Sequence, residues 1–211
     1  MSILNYQKKQ RELGNNFFFI GTIAVILINF LCFYCVKEEY SFHPTNNWNN
    51  AFDFWNLIVC VYSTFQHSNL QHLLLNSLCF LFVGAYVERK QGTIGLLFLV
   101  AIFTIFGAGL TYANHSGYSR GFSGVNFAFY AYIIVDFFFS IKEIKKNKIE
   151  LIISITLLVL IYIACCFCGG TETFSFKIYP YDLIYNLGHY TGFLTGLLLT
   201  LVMKFCKIKS K

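Results

Sequence analysis

The sequence predicts an all-α membrane protein: a bundle of six transmembrane helices whose first connecting loop lies in the membrane interface. Composition is the first observation behind that expectation. Of 211 residues, 56% are hydrophobic and only 12% are charged, against about 25% charged in a soluble domain. So few charges cannot cover the surface of a water-soluble globule. A chain this apolar and aromatic is not disordered either. Its eight cysteines, most of them inside apolar runs, do not make a disulfide scaffold. The second observation is that six stretches meet or approach the roughly 20 apolar residues that a membrane helix needs. The third is the placement of the basic residues, which sorts by loop.

The first stretch, 16–36, is too long for the core of a cleavable signal peptide. Cys35-Val36-Lys37 also offers no small-residue cleavage site. The expectation is a membrane helix preceded by a short cytoplasmic segment, 1–15. Residues 37–71 form the one long connection. Within it, 51–62 is apolar and aromatic but too short to span. It suits an interfacial helix with Trp55 and Tyr62 at headgroup level, or a re-entrant and partly buried loop. The second stretch, 72–88, opens with His72 and Asn76. The third is 93–112. The fourth, 123–140, opens at Ser123, and the fifth is 150–168. The sixth, 183–204, carries Asn186, Gly188 and His189 in its first third. Polar residues confined to one half of a helix fit the wall of a water-containing cavity better than a lipid anchor. One domain, 16–206, with a basic tail at 207–211, is the expected organisation.

Charge sets the direction. With a cytoplasmic N-terminus, thirteen basic residues fall inside: Lys8, Lys9, Arg11, Arg89, Lys90, Lys142, Lys145, Lys146, Lys148, Lys204, Lys207, Lys209 and Lys211. Three fall outside: Lys37, Arg120 and Lys177. That asymmetry and an even number of spans place both termini in the cytoplasm. The net charge of +6 is thereby accounted for, and nucleic-acid binding has no support.

Orientation also tests whether the polar residues form one site. His67, His72 and Asn76 lie at or near the outer end of the second span. Ser123 lies at the outer end of the fourth. His189 lies about 9 Å below the outer end of the sixth, at 1.5 Å per residue. All share the outer leaflet. A serine becomes a nucleophile when a base takes its proton, and histidine is the usual base; Ser123 and His189 are the candidate pair. His72 and Asn76, four residues apart, share a helix face and can aim donors at one developing oxyanion. The unpaired N–H of Ser123 at a helix start adds a third. Gly188, Gly192 and Gly196 make a small-residue stripe that admits a close neighbour, and Gly124 suits the facing surface.

These residues also carry a resemblance. Gly121-Phe122-Ser123-Gly124 is similar to the GxSG motif of rhomboid intramembrane serine proteases. His67, His72 and Asn76 are spaced as in their HxxxxHxxxN segment, and Gly84 with Glu88-Arg89 resembles GxxxER. His189, Gly192 and Gly196 resemble HxxGxxxG of the last core helix. The match runs through spans two to six in order, and implies a six-helix rhomboid-like bundle. By this resemblance Ser123 is the nucleophile, His189 the general base, and His72, Asn76 and the Ser123 amide the oxyanion hole. Gly121 shapes the loop before the serine, and Phe127 occupies the place of an aromatic ring that packs on the catalytic histidine. The 51–62 stretch resembles the family's membrane-embedded first loop. It departs from the family in lacking a Trp-Arg pair, with no arginine between 37 and 71, and Gly188 stands where alanine is frequent.

The remaining polar residues have plainer readings. His67 and Glu88 are expected to be structural, Glu88 as a hydrogen-bond anchor. Ser77 and Ser140 read as helix-packing residues, and His43 and His115 as solvated loop residues. Asp136, about 20 Å below Ser123 along its helix, is expected to be tied to a neighbouring helix or to water at the inner surface. Asp182 is seven residues before His189 and is left out of the site. A Ser–His pair without a third carboxylate is therefore expected. A metal held by His67, His72 and His189 lacks an HExxH pair and a nearby carboxylate, so neither metal nor other cofactor is expected. Cys32, Cys35, Cys165, Cys166 and Cys168 read as buried thiols. The expected function is an intramembrane serine endopeptidase of a cell membrane. Its substrates would be single-span membrane proteins, cut near their outer ends within the lipid bilayer. The alternative is an inactive rhomboid-like chaperone or adaptor that binds transmembrane helices.

Overall fold

The computed structural model describes residues 19–35, 54–114, 120–144, 148–167 and 187–209. Among these residues the regular structure is entirely helical: α1 (Ile20–Cys35), α2 (Phe54–Ser63), α3 (Leu70–Asn114), α4 (Ser123–Ile144), α5 (Lys148–Phe167) and α6 (Leu187–Lys209). Among the described residues three stretches are long and apolar enough to cross a membrane: Leu70–Leu110, Ser123–Ile141 and Gly188–Cys206. Ile20–Cys35 is apolar but shorter.

The second and third apolar stretches, expected as separate helices with a short loop between 88 and 93, run into each other as α3. Only Gly92 interrupts it, with φ 75 and ψ 168. A positive φ is cheap for glycine alone, so one residue turns the chain where a loop was expected. The two arms fold back on each other. Phe80 and Phe103, nearly equidistant from Gly92, both place their rings edge-on to Phe129 of α4.

Helix α4 is the centre of the molecule. Val125, Asn126, Ala128, Phe129, Tyr130, Ala131, Tyr132, Ile133, Val135 and Asp136 are all buried. Burial on every side means that neighbours surround the helix rather than line one face. Helix α6 packs closest. A Cβ on Gly192 would overlap the carbonyl of Gly124, and one on Gly196 that of Ala128. Small residues are what allow two backbones to touch.

Helix α1 buries a narrow stripe, Gly21, Thr22, Val25 and Asn29, against α3. Its start is held by the buried Glu88. That carboxylate accepts the backbone N–H of Gly21 and of Thr22, each at 2.9 Å, and the hydroxyls of Thr22 at 2.8 Å and Thr93 at 2.6 Å. An anion at a helix N-terminus satisfies orphan donors and complements the helix dipole. Glu88 therefore ties α1 to both arms of α3. Toward the same end of the bundle, Asp136 pairs with Lys90 at 2.7 Å and with Lys204. Lys90 lies 3.8 Å from Glu150 and over the ring of Tyr86.

The exterior is apolar. Ile23, Leu27, Leu78, Phe98, Phe106, Phe138, Ile152, Leu198 and Val202 are exposed, among others. A soluble monomer does not display apolar surface on this scale; in hydrocarbon it is the expected surface.

Some expectations shift. Cys35, read as buried, is exposed on the last turn of α1, and Cys32 is partly so. The reason is that the buried stripe of α1, Gly21, Thr22, Val25 and Asn29, does not run through Cys35. Helix α6 is described to Lys209. Residues 1–15, 51–53, 183–186, 210 and 211, together with His43, His115, Cys168 and Asp182, lie outside the described residues. So do the side chains of Cys165 and Cys166.

Candidate active site

Ser123 is the first residue of α4, and its position is prepared by the turn before it. Gly121 has φ +113, and a Cβ there would lie 2.6 Å from Cε1 and 2.8 Å from Nε2 of His72. Both its torsion and its space require glycine. Its N–H donates to the carbonyl of Ser63 at 3.2 Å, which ties the turn to the end of α2. Phe122 is fully buried. Its ring meets Phe80 edge-on at 5.0 Å and Phe65 at 5.6 Å. This aromatic plug fixes the turn from below and leaves Ser123 at its rim.

His67 holds the same turn from the side. Its Nδ1–H donates to the carbonyl of Phe65 at 3.2 Å, which leaves Nε2 to accept the N–H of Phe122 at 3.4 Å. This pairing requires the neutral ring. Burial, and then the neighbouring His72, hold the His67 imidazole down at about 4. His67 is thus buried in the loop between α2 and α3, touching the turn but not Ser123.

His189 is the third described residue of α6; residues 183–186, where the outer end of that span is expected, lie outside the described residues. Its Nε2 is 2.8 Å from Ser123 Oγ. The ring stacks on Phe127 with centroids 4.6 Å apart and planes 12° from parallel. Phe127 is four residues past Ser123, one helical turn along the same face. The approach of α6 to α4 at Gly124, Gly188 and Gly192 brings the two side chains within reach. A neutral histidine with its Nε2 lone pair toward a serine hydroxyl can accept that proton.

His72 and Asn76 lie one turn apart on α3, beside Gly121. Asn69 caps α3, its Oδ1 accepting the N–H of His72 at 2.8 Å. Ser68 Oγ lies 3.3 Å from His72 Nδ1. With the hydroxyl donating there, the ring carries its proton on Nε2, the atom beside Gly121. Asn76 Nδ2 donates one hydrogen to the carbonyl of His72 at 3.1 Å. Its Oδ1 accepts from Asn126 Nδ2, also at 3.1 Å. The amide is therefore oriented, with one N–H left for another acceptor.

Asn126 is the residue that the sequence reading missed. It is buried one turn below Ser123 and bonds both the side chain and the carbonyl of Asn76. The available signal was a lone amide within an apolar run, which must find a partner.

The structure thus gathers Ser123, His189, His72, Asn76, Gly121, Gly124, Phe127 and Gly192 at one end of the bundle. Gly196 lies one layer further along α6. Glu88 stands apart at the opposite end. Among the described residues no three His, Cys, Asp or Glu side chains converge as a metal site would require.

A family model, the rhomboid domain, matches residues 51–204, which contain every one of these positions. The chain belongs to the rhomboid family. RHOMBOID-like protein 4 of Arabidopsis thaliana is 30% identical over 153 residues, covering 71% of this chain and 34% of the plant protein. A protein of Acanthamoeba polyphaga mimivirus described as a rhomboid is 34% identical over 92 residues, 41% of this chain and 52% of the viral one. The aligned parts span about a third and about half of those relatives. For this rhomboid, family membership accords with the all-helical fold and the apolar exterior: it is a membrane-embedded protein.

Proposed function

We propose that this rhomboid is an intramembrane serine endopeptidase. The observation that carries the reading is the 2.8 Å contact between His189 Nε2 and Ser123 Oγ, at the rim of a turn lined by oriented donors. Ser123 attacks a peptide carbonyl while His189 takes its proton. The developing oxyanion is met by His72 Nε2–H, the free N–H of Asn76 and the Ser123 amide. His189 then gives the proton to the leaving amine, and water releases the acyl-enzyme. Phe127 holds the imidazole plane, and Asn126 holds the Asn76 amide.

The 41 apolar residues of Leu70–Leu110 would measure about 60 Å as a straight helix, twice the roughly 30 Å of a hydrocarbon core. The bend at Gly92 supports reading them as two passes, which with α1, α4, α5 and α6 makes a bundle of six. The excess of basic residues in alternate connections supports an orientation with both termini in the cytoplasm of a cell membrane and the site open to the outer face. Substrates are single-span membrane proteins. Their helices must unwind to present a carbonyl to Ser123, so Gly, Pro or polar residues near the outer end favour cleavage.

The test is reconstitution with a labelled single-span substrate. Wild type cleaves, and Ser123→Ala and His189→Ala do not. A serine-directed fluorophosphonate labels Ser123 in the wild type. Cleavage by Ser123→Ala, or a wild type inert to both substrate and probe, refutes the reading; the latter leaves a helix-binding protein.

A further inference from the structure

Helices α4 and α6 run parallel and meet in layers with one constant offset. Gly192 rests on Gly124, Gly196 on Ala128, and Lys204 pairs with Asp136. Each pair is 68 residues apart in sequence, as the ion pair itself shows, and the layers recur at multiples of four. The first two layers fix how closely the helices approach, but they do not fix the register against every slide. If α6 moved one turn toward the Ser123 end, Gly196 would face Gly124 and Thr200 would face Ala128. A small or modest side chain would again meet a small one. That slide of four residues would carry His189 about 6 Å along the axis away from Ser123. It would also pull Lys204 off Asp136, whose side chain is only 5% exposed. Asp136 would keep Lys90, but the Lys204 ammonium would be drawn a turn further into a bundle surrounded by hydrocarbon without its carboxylate, which is costly.

We propose that Asp136 and Lys204 are positioning residues for the site about 20 Å away at the other end of α4: their ion pair sets the register that puts His189 on Ser123. Asp136 is fixed independently of α6, because Lys90 at the bend of α3 holds its other oxygen at 2.7 Å. The carboxylate is therefore a stationary post, and Lys204 is the moving partner that reads the position of α6. The catalytic meaning of that register rests on the endopeptidase reading; the register itself does not.

The test uses the full chain in proteoliposomes. Lys204→Met removes the ammonium while Lys90 still satisfies Asp136, so the carboxylate is not left unpaired. Lys204→Arg keeps the charge. Fluorophosphonate labelling of Ser123, normalised to folded protein, is expected to slow at least about tenfold in Lys204→Met, since small misplacements of reacting groups are costly. The kcat should fall with it and KM should hold. Lys204→Arg should restore most of the labelling rate. A risen KM with unchanged kcat, or a lower melting midpoint with wild-type labelling, overturns the proposal. Should Lys204→Met fail to accumulate, Lys204→Gln gives the same comparison.

A second arm reads register without activity. In a Ser123→Cys, His189→Cys chain, a short bismaleimide cross-links the two positions, and the joined peptides are identified by mass spectrometry. Adding Lys204→Met should cut the yield. An unchanged yield overturns the proposal whatever the activity. A Lys204-dependent yield in a chain whose wild type never labels would sustain the register assignment and sink the endopeptidase reading instead.

Discussion

At Gly121 two constraints coincide: a φ of +113 and a histidine ring where a side chain would sit. Gly121→Ala must pay both the torsional cost and the displacement of His72, about 1–3 kcal/mol for the backbone alone. The expected outcome is loss of cleavage with a lowered melting midpoint. Asn126 separates orientation from packing. Asn126→Leu keeps the volume but frees the Asn76 amide. On the endopeptidase reading this removes one oxyanion donor, so kcat should fall by about 10²-fold while KM holds; steady-state kinetics on a single-span substrate checks it. His67 sets a pH limit. Its value is held down at about 4, below the ordinary 6.5, so folding favours the neutral ring. The stability it contributes is complete above pH 6.5 and is lost as pH falls from there through 4. Melting midpoints between pH 4 and 7 should drop more steeply for wild type than for His67→Gln, whose amide does not titrate.

Among the elements, the contact of α4 with α6 is decisive because no side chain separates them. Gly192→Val or Gly196→Val cannot be absorbed by a rotamer change, since the opposing atoms are backbone. Both should lower thermal stability, and Gly192→Val, nearer the site, should also abolish fluorophosphonate labelling. The bend of α3 shows the limit of sequence reading at this scale. Arg89, Lys90 and Gln91 read as a polar loop, yet they remain helical up to Gly92. They can do so because Lys90 finds Asp136, Gln91 donates to Tyr132 at 2.5 Å, and Glu88 is filled by four donors. Those partners come from other helices, and local composition cannot reveal them.

For the molecule as a whole, the proposed orientation rests on the unequal basic residues. Two free thiols test it: Cys35 at the end of α1 and Cys206 near the end of α6, both exposed. On intact cells a membrane-impermeant maleimide should label Cys35 and spare Cys206 until the membrane is opened, with the modified peptides identified by mass spectrometry. The reverse pattern would invert the bundle and put the site on the cytoplasmic side.

The sequence by itself determined that the chain is helical and apolar outside, and which residues are polar in an apolar context. Those properties are additive along the chain: hydropathy, spacing and charge need no knowledge of neighbours. It also marked Ser123, His189, His72 and Asn76 as candidates, because a polar side chain in an apolar helix is costly without a role or a partner. Only the tertiary structure decided who the partners are. It set Asn126 on Asn76, His67 on Phe122, Glu88 on the start of α1, and Lys204 and Lys90 on one carboxylate. Each pairing joins residues distant in the chain. Hydrogen bonds and ion pairs depend on angstrom-scale distances between side chains, and those distances exist only once the helices have docked.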